Sequence, residues 1–204
     1  MTTTPPSLPM RGLMKYLAAG PAQIGSITTQ LQGYGKGYSP AKDYWGHLVR
    51  GIQADRRTTR NGAAVHAAAL NVADGRKRPN YTRTAAAWQR TTPRWAAHVA
   101  HPIHARVVRL GGLDVRVAPM FAERAPDGTI EVVMVNLTMS LALSTDVANA
   151  VLRLLELAYP EAEPVLVDVP RDLVHTRAGK RLDRYDPYLE AACVFLAHAL
   201  SQAA

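Results

Sequence analysis

The run TIEVVMVNLT, Thr129 to Thr138, constrains the fold most. It is almost wholly apolar, so as a strand it needs cover on both faces, the mark of a central strand. The residues that follow supply such cover. Ser144 or Thr145 is a helix N-cap, and Asp146 sits in the first turn, where the macrodipole favours a carboxylate. Val147, Val151, Leu154, Leu155 and Ala158 recur at helical spacing and form one stripe, and Pro160 ends the helix. Val165-Leu166-Val167 then reads as a short buried strand ending at Asp168. Strand, helix and strand in this order predict a parallel pair with a right-handed crossover.

The preceding residues add strands. Ala105 to Leu110 is one, and Gly111-Gly112 turns it. Leu113, Val115 and Val117 alternate with Asp114, Arg116 and Ala118, which gives one buried and one wetter face. Pro119 late in that run implies an edge or a distortion. Asp127-Gly128 predicts a hairpin between that run and Ile130–Leu137. Leu173 to Thr176 is a short further strand. Asp186-Pro187 opens a last helix, with Leu189, Cys193, Leu196 and Leu200 on its packed face. The expected class is α/β (α+β): a helical first half, a small mixed sheet in strand-strand-strand-helix-strand order, and a C-terminal helix.

The first half reads as helices. They are placed at Arg11–Ala19, Ala22–Leu31, from Ser39-Pro40 to Arg57, Ala63–Val72 and Tyr81–Thr91, the last anchored by Trp88. Gly33–Ser39, GYGKGYS, is a loop that lacks the spacing of a nucleotide-binding P-loop. The expected organisation is a flexible lead-in over 1–10, a basic helical region over 11–104 and an α/β core over 105–204, packed as one unit.

Charge divides along the same line. Residues 1–110 hold 16 basic and 3 acidic residues, and residues 111–204 hold 8 basic and 13 acidic. No Glu precedes Glu123. A half this basic draws polyanions at long range, or else docks on the acidic half. The basic residues singled out for nucleic acid are Arg56, Arg57 and Arg60 at a helix end, the turn Arg76-Lys77-Arg78-Pro79, and Arg83. Tyr81 beside that turn suits base stacking. The helix macrodipole alone would also favour the arginines at the helix end.

Other chemistry is sparse. One cysteine, Cys193, excludes an internal disulfide and any multi-cysteine metal site. On the packed face of a helix, it reads as core rather than nucleophile. His98, His101 and His104 are interrupted by Pro102 and lack a neighbouring carboxylate, so they read as a linker rather than a zinc site. No Ser/His/Asp or Cys/His constellation stands out. No catalytic residue, metal or cofactor is therefore assigned. No apolar run is long enough to span a bilayer, and Met1–Pro9 lacks the plan of a signal peptide. A cytoplasmic setting without membrane contact is expected.

The order of strands and helix from Ala105 to His175 resembles the core of the PD-(D/E)XK, restriction-endonuclease-like superfamily. In that family a Pro-Asp pair at one strand end and an acidic-x-Lys pair on the next hold a divalent metal and activate water. Here Met120 follows Pro119, and Glu131 is followed by Val132-Val133, with Met134-Val135-Asn136 offering no Lys. The resemblance thus implies a nuclease-like scaffold without the metal site. Tyr16 to Ala22, YLAAGPA, also resembles a segment of bacterial proteins that carry no assigned activity. The leading expectation is a non-catalytic module that binds nucleic acid through its basic half. The alternatives are a protein–protein adaptor in a larger bacterial complex, and an active metal-dependent nuclease using Asp114, Glu123, Glu131 and Asp168.

Overall fold

A computed structural model describes residues 5–33 and 44–202. The chain begins with β1 (Ser7–Pro9), α1 (Met10–Leu17) and α2 (Ile24–Gln32). Three helices follow: α3 (Gly46–Arg57), α4 (Ala63–Leu70) and α5 (Arg78–Thr91). Next come β2 (Val99–His101), β3 (Arg106–Leu110), β4 (Leu113–Val117), β5 (Phe121–Arg124) and β6 (Ile130–Asn136). The last elements are α6 (Thr145–Ala158), β7 (Glu163–Asp168), β8 (Leu173–Thr176) and α7 (Asp186–Ser201). The loop after Gly33 and the helix start at Ser39-Pro40 lie outside the described residues.

The structure is mixed α/β, with helices mostly first and a C-terminal helix last, as expected. Its strands form two sheets rather than one. A three-stranded sheet has the order β1-β4-β3, and a five-stranded sheet has the order β2-β5-β6-β7-β8. The hairpin expected between Leu113–Pro119 and Ile130–Leu137 is therefore corrected. Its first strand is β5, whose Phe121 lies opposite Val133 and whose Arg124 lies opposite Ile130. Pro119 explains the change. It has no N–H for a ladder, so the chain leaves the first sheet after Val117. It enters the second at Met120, whose N–H donates to the Val133 carbonyl at 2.8 Å. The Asp127-Gly128 turn is present, with Gly128 in the left-handed region at φ 89° and the Asp127 carboxylate accepting from Thr129 N–H at 2.9 Å.

β6 and β7 are parallel, from Glu131 opposite Glu163 to Asn136 opposite Asp168. Ser144 caps the crossover helix α6, its hydroxyl accepting from Val147 N–H at 3.2 Å. β6 is apolar throughout because its alternate residues enter two different cores. Val132 and Met134 join α6, α1, α7 and the three-stranded sheet, while Val133 and Val135 join α3, α4 and α5. α6 meets both sheets, and nine of its residues are buried, well beyond a single stripe.

Ser7–Pro9, within the expected lead-in, is a strand parallel to β4, and Leu8 is fully buried. The region 11–104 is shared between the two cores. α1 and α2 pack toward α7, where the Gln32 amide donates to the Ala199 carbonyl at 3.1 Å. α3 to α5 cover the opposite face of the five-stranded sheet. A Cβ added at Gly111 would lie 2.5 Å from the backbone nitrogen of Val194. The β3–β4 turn therefore seats directly on α7. No helix among the described residues is long and apolar enough to cross a membrane.

Candidate nucleic-acid interface

Leu48, Ile52 and Arg56 recur every four residues on α3, so the apolar stripe that docks α3 on the sheet carries Arg56 inward. Arg56 is only 2 % exposed. Its Nε and Nη2 donate to the two oxygens of Glu123 at 2.7 and 3.0 Å, a bidentate pair. Nη1 donates to Thr92 Oγ1 at 2.7 Å and Nη2 also to the Trp95 carbonyl at 3.1 Å. The guanidinium lies 5.8 Å from the Trp95 ring centre and 5.7 Å from that of Phe121. Arg60 closes the site from the rim. It donates to the Arg56 carbonyl at 2.9 Å, to the His98 carbonyl at 2.5 Å, and to Glu123.

Glu123 faces Glu131 across the β5–β6 ladder. Like charges in that position repel. Arg94 answers Glu131 at 2.6 Å, and the Trp95 indole N–H donates to its other oxygen at 2.6 Å. Farther along, Arg90 pairs with Asp172 at 2.7 Å. The basic helical region therefore docks on the acidic half, through Arg56, Arg60, Arg90 and Arg94. Arg56 and the Nη atoms of Arg60, expected to meet nucleic acid, donate to protein acceptors instead, and Arg56 has no open face for a phosphate.

The remaining basic residues divide in two. Arg76, Lys77, Arg78 and Arg83 occupy the turn between α4 and α5 and the first turns of α5. Asp74 shapes that turn, accepting from the Arg76 N–H at 3.0 Å with its carboxylate. The Lys77 ammonium lies 5.2 Å from the centre of the Tyr44 ring, and Asn80 donates to the Tyr44 hydroxyl at 3.0 Å. Trp45 stacks on Tyr81 at 5.5 Å and donates to Thr138 Oγ1 at 3.1 Å. Tyr81 itself is fully buried, so the aromatic surface beside the basic turn belongs to half-buried Tyr44 and Trp45. Their value lies in tertiary proximity to Lys77, which no local spacing reveals. Arg57 is exposed at the opposite end of α3, a helix of 12 residues and about 18 Å. Arg57, Arg76, Arg78 and Arg83 have no acidic partner among the described residues.

The four carboxylates considered as metal ligands do not converge. Asp114 belongs to the three-stranded sheet and pairs with Arg109 at 2.7 Å, whose hydrogen bond holds its pKa below the usual carboxylate range. Glu123 and Glu131 face α3 to α5. Asp168 lies on the α6 side, fully buried, bonded to Asn136 at 2.9 Å and to Arg171 at 3.0 Å. Met120 is packed in the core with Phe121. No group of three or more His, Cys, Asp or Glu among the described residues is placed to hold a metal ion. Burial pushes the Cys193 thiol up to about 12, which suits packing rather than nucleophilic work. Comparison with protein-family models, curated proteins and solved structures gives no match.

Proposed function

We propose that this chain binds nucleic acid without cleaving it, through Arg76, Lys77, Arg78 and Arg83 beside Tyr44. The observation that carries this reading is the partition of positive charge. Six arginines of residues 1–110 are spent on carboxylates of the chain itself, while the cations at the start of α5 have no acidic partner among the described residues. Phosphate contacts there would release counterions. Tyr44, held by Asn80 and Lys77, offers a ring on which an unpaired base can stack. The β6–α6–β7 unit is the part of the fold that supports a PD-(D/E)XK-like scaffold, with Met120 and Asn136 standing where the metal-binding scheme uses charge. A cytoplasmic setting belongs to the same proposal.

Anisotropy titration of labelled single-stranded and duplex DNA and RNA tests it. Binding is expected at low salt, with affinity falling steeply as salt rises. The triple variant R76E/K77E/R78E should abolish it, R83E should weaken it, and R57E should change it least. Absence of binding at low salt, or an unaltered triple variant, refutes the proposal. Magnesium-dependent cleavage refutes its non-catalytic part.

A further inference from the structure

The two cores meet at a cleft. It has a volume of ≈ 290 Å³ and opens where the chain crosses from β4 to β5. Its apolar lining draws on both cores, with Met10 and Met134 from one and Met120 from the other. Among the described residues its polar lining is Arg116, Arg11 and Gln53, with no acidic side chain. The gap has a structural cause: Pro119 separates the ladders, so the two sheets diverge at this point. Arg116 projects from the exposed face of β4 and has no acidic partner among the described residues.

From this lining we infer that the cleft binds a small amphipathic carboxylate, a negatively charged head on a short apolar body. The guanidinium of Arg116 suits a carboxylate in a two-point hydrogen bond. The thioethers of Met10, Met120 and Met134 adapt to varied apolar shapes. The volume sits near the lower end for small-molecule sites, about 300 Å³, so the body is short. The site is separate from the corner at Arg76–Arg83, and either can fail without the other.

Isothermal titration of the full chain with sodium octanoate tests the inference. One equivalent should bind. Neutral octan-1-ol should bind at least about tenfold more weakly, the scale of one lost charge-assisted hydrogen bond. Acetate, which lacks the body, should not bind measurably. R116Q should weaken octanoate by about the same factor. A118W, at an exposed position on the cleft wall, should block it while leaving the fold intact by circular dichroism. R83E should bind as the native chain does, and so should F195S, at an exposed position on α7. The inference is overturned if octanoate does not bind, or if R116Q and A118W bind it unchanged. It is equally overturned if R83E loses it as fully as R116Q, which would mean diffuse charge attraction. Loss in F195S alone would place the ligand on α7.

Discussion

The face of the five-stranded sheet that meets α6 is apolar along most of its length, whereas the face that meets α3 and α5 carries Glu123 and Glu131 side by side. On the first face, Met134 and Leu166 share one apolar cluster with Leu155 and its neighbours, and the buried carboxylate there, Asp168, pairs with Arg171 at the strand end. On the second, three arginines enter from the helical layer to answer two carboxylates. Both faces exclude water, but they specify the fold differently. Apolar packing accepts many neighbours of similar volume. A bidentate Arg56–Glu123 pair accepts one register of α3 on the sheet and strands a charge in any other. The difference also shows that a charge imbalance along a sequence need not measure affinity for an outside polyanion.

Glu123→Ala should break this comparison hardest. It leaves Arg56 buried without its anion, and urea unfolding should show a loss of about 3–5 kcal/mol. Replacing both partners, as R56M/E123L, should recover most of that loss, because two apolar side chains need no counter-charge. If E123A costs no more than an exposed pair, the network contributes little to folding.

A second test concerns the α6 side, where His175 lies opposite Leu166 at the β7–β8 edge. Its Nε2 is buried with no hydrogen-bond partner among the described residues. Burial, with a smaller contribution from Lys180 and an opposing one from Asp168, holds its pKa below the ordinary histidine value of 6.5. The folded state therefore prefers the neutral ring, and the unfolded state takes up the proton first. This contribution to stability is complete above the ordinary value and fades as pH falls below it. H175N should flatten that part of the stability–pH curve. An unchanged curve would remove His175 from the account.

The smallest effect belongs to Arg90 and Asp172, whose side chains are 61 % and 45 % exposed. R90A should cost no more than about 1 kcal/mol, and added salt should erase the difference. A larger loss would mean that the rim, and not only Glu123, fastens the helical layer to the sheet.

The unit from β6 to β7 was legible in the sequence because every local signal agreed: an unbroken apolar strand, a capped helix and a second apolar strand. Asp127-Gly128 located the hairpin, but Pro119 hid which strand entered it, since a proline is compatible with an edge, a bulge or a change of sheet. Ser7–Pro9 was illegible as a strand because its partner lies far along the chain. The site was legible in part. Arg76 to Arg83 stand out as a run, and they occupy the turn between α4 and α5 and the first turns of α5. Arg56 gave no sign of burial, because a guanidinium at a helix end looks the same whether it faces water or a carboxylate on a distant strand. Tyr44 gave no sign of its place beside Lys77 for the same reason.

The pairing of β1 with β4 bears on the order of assembly during synthesis. Ser7 leaves the ribosome well before its ladder partner Asp114, which follows roughly a hundred residues later. At about 5–20 residues per second, β1 waits several seconds with Leu8 and Met10 uncovered. α3 to α5 emerge earlier but likewise await β5 and β6. Neither core can close until the middle of the chain has appeared, so the nascent protein exposes apolar surface from both of its future interiors at once. A chain built this way is expected to engage holding chaperones during translation and to fold slowly for its size, since its decisive contacts are distant in sequence.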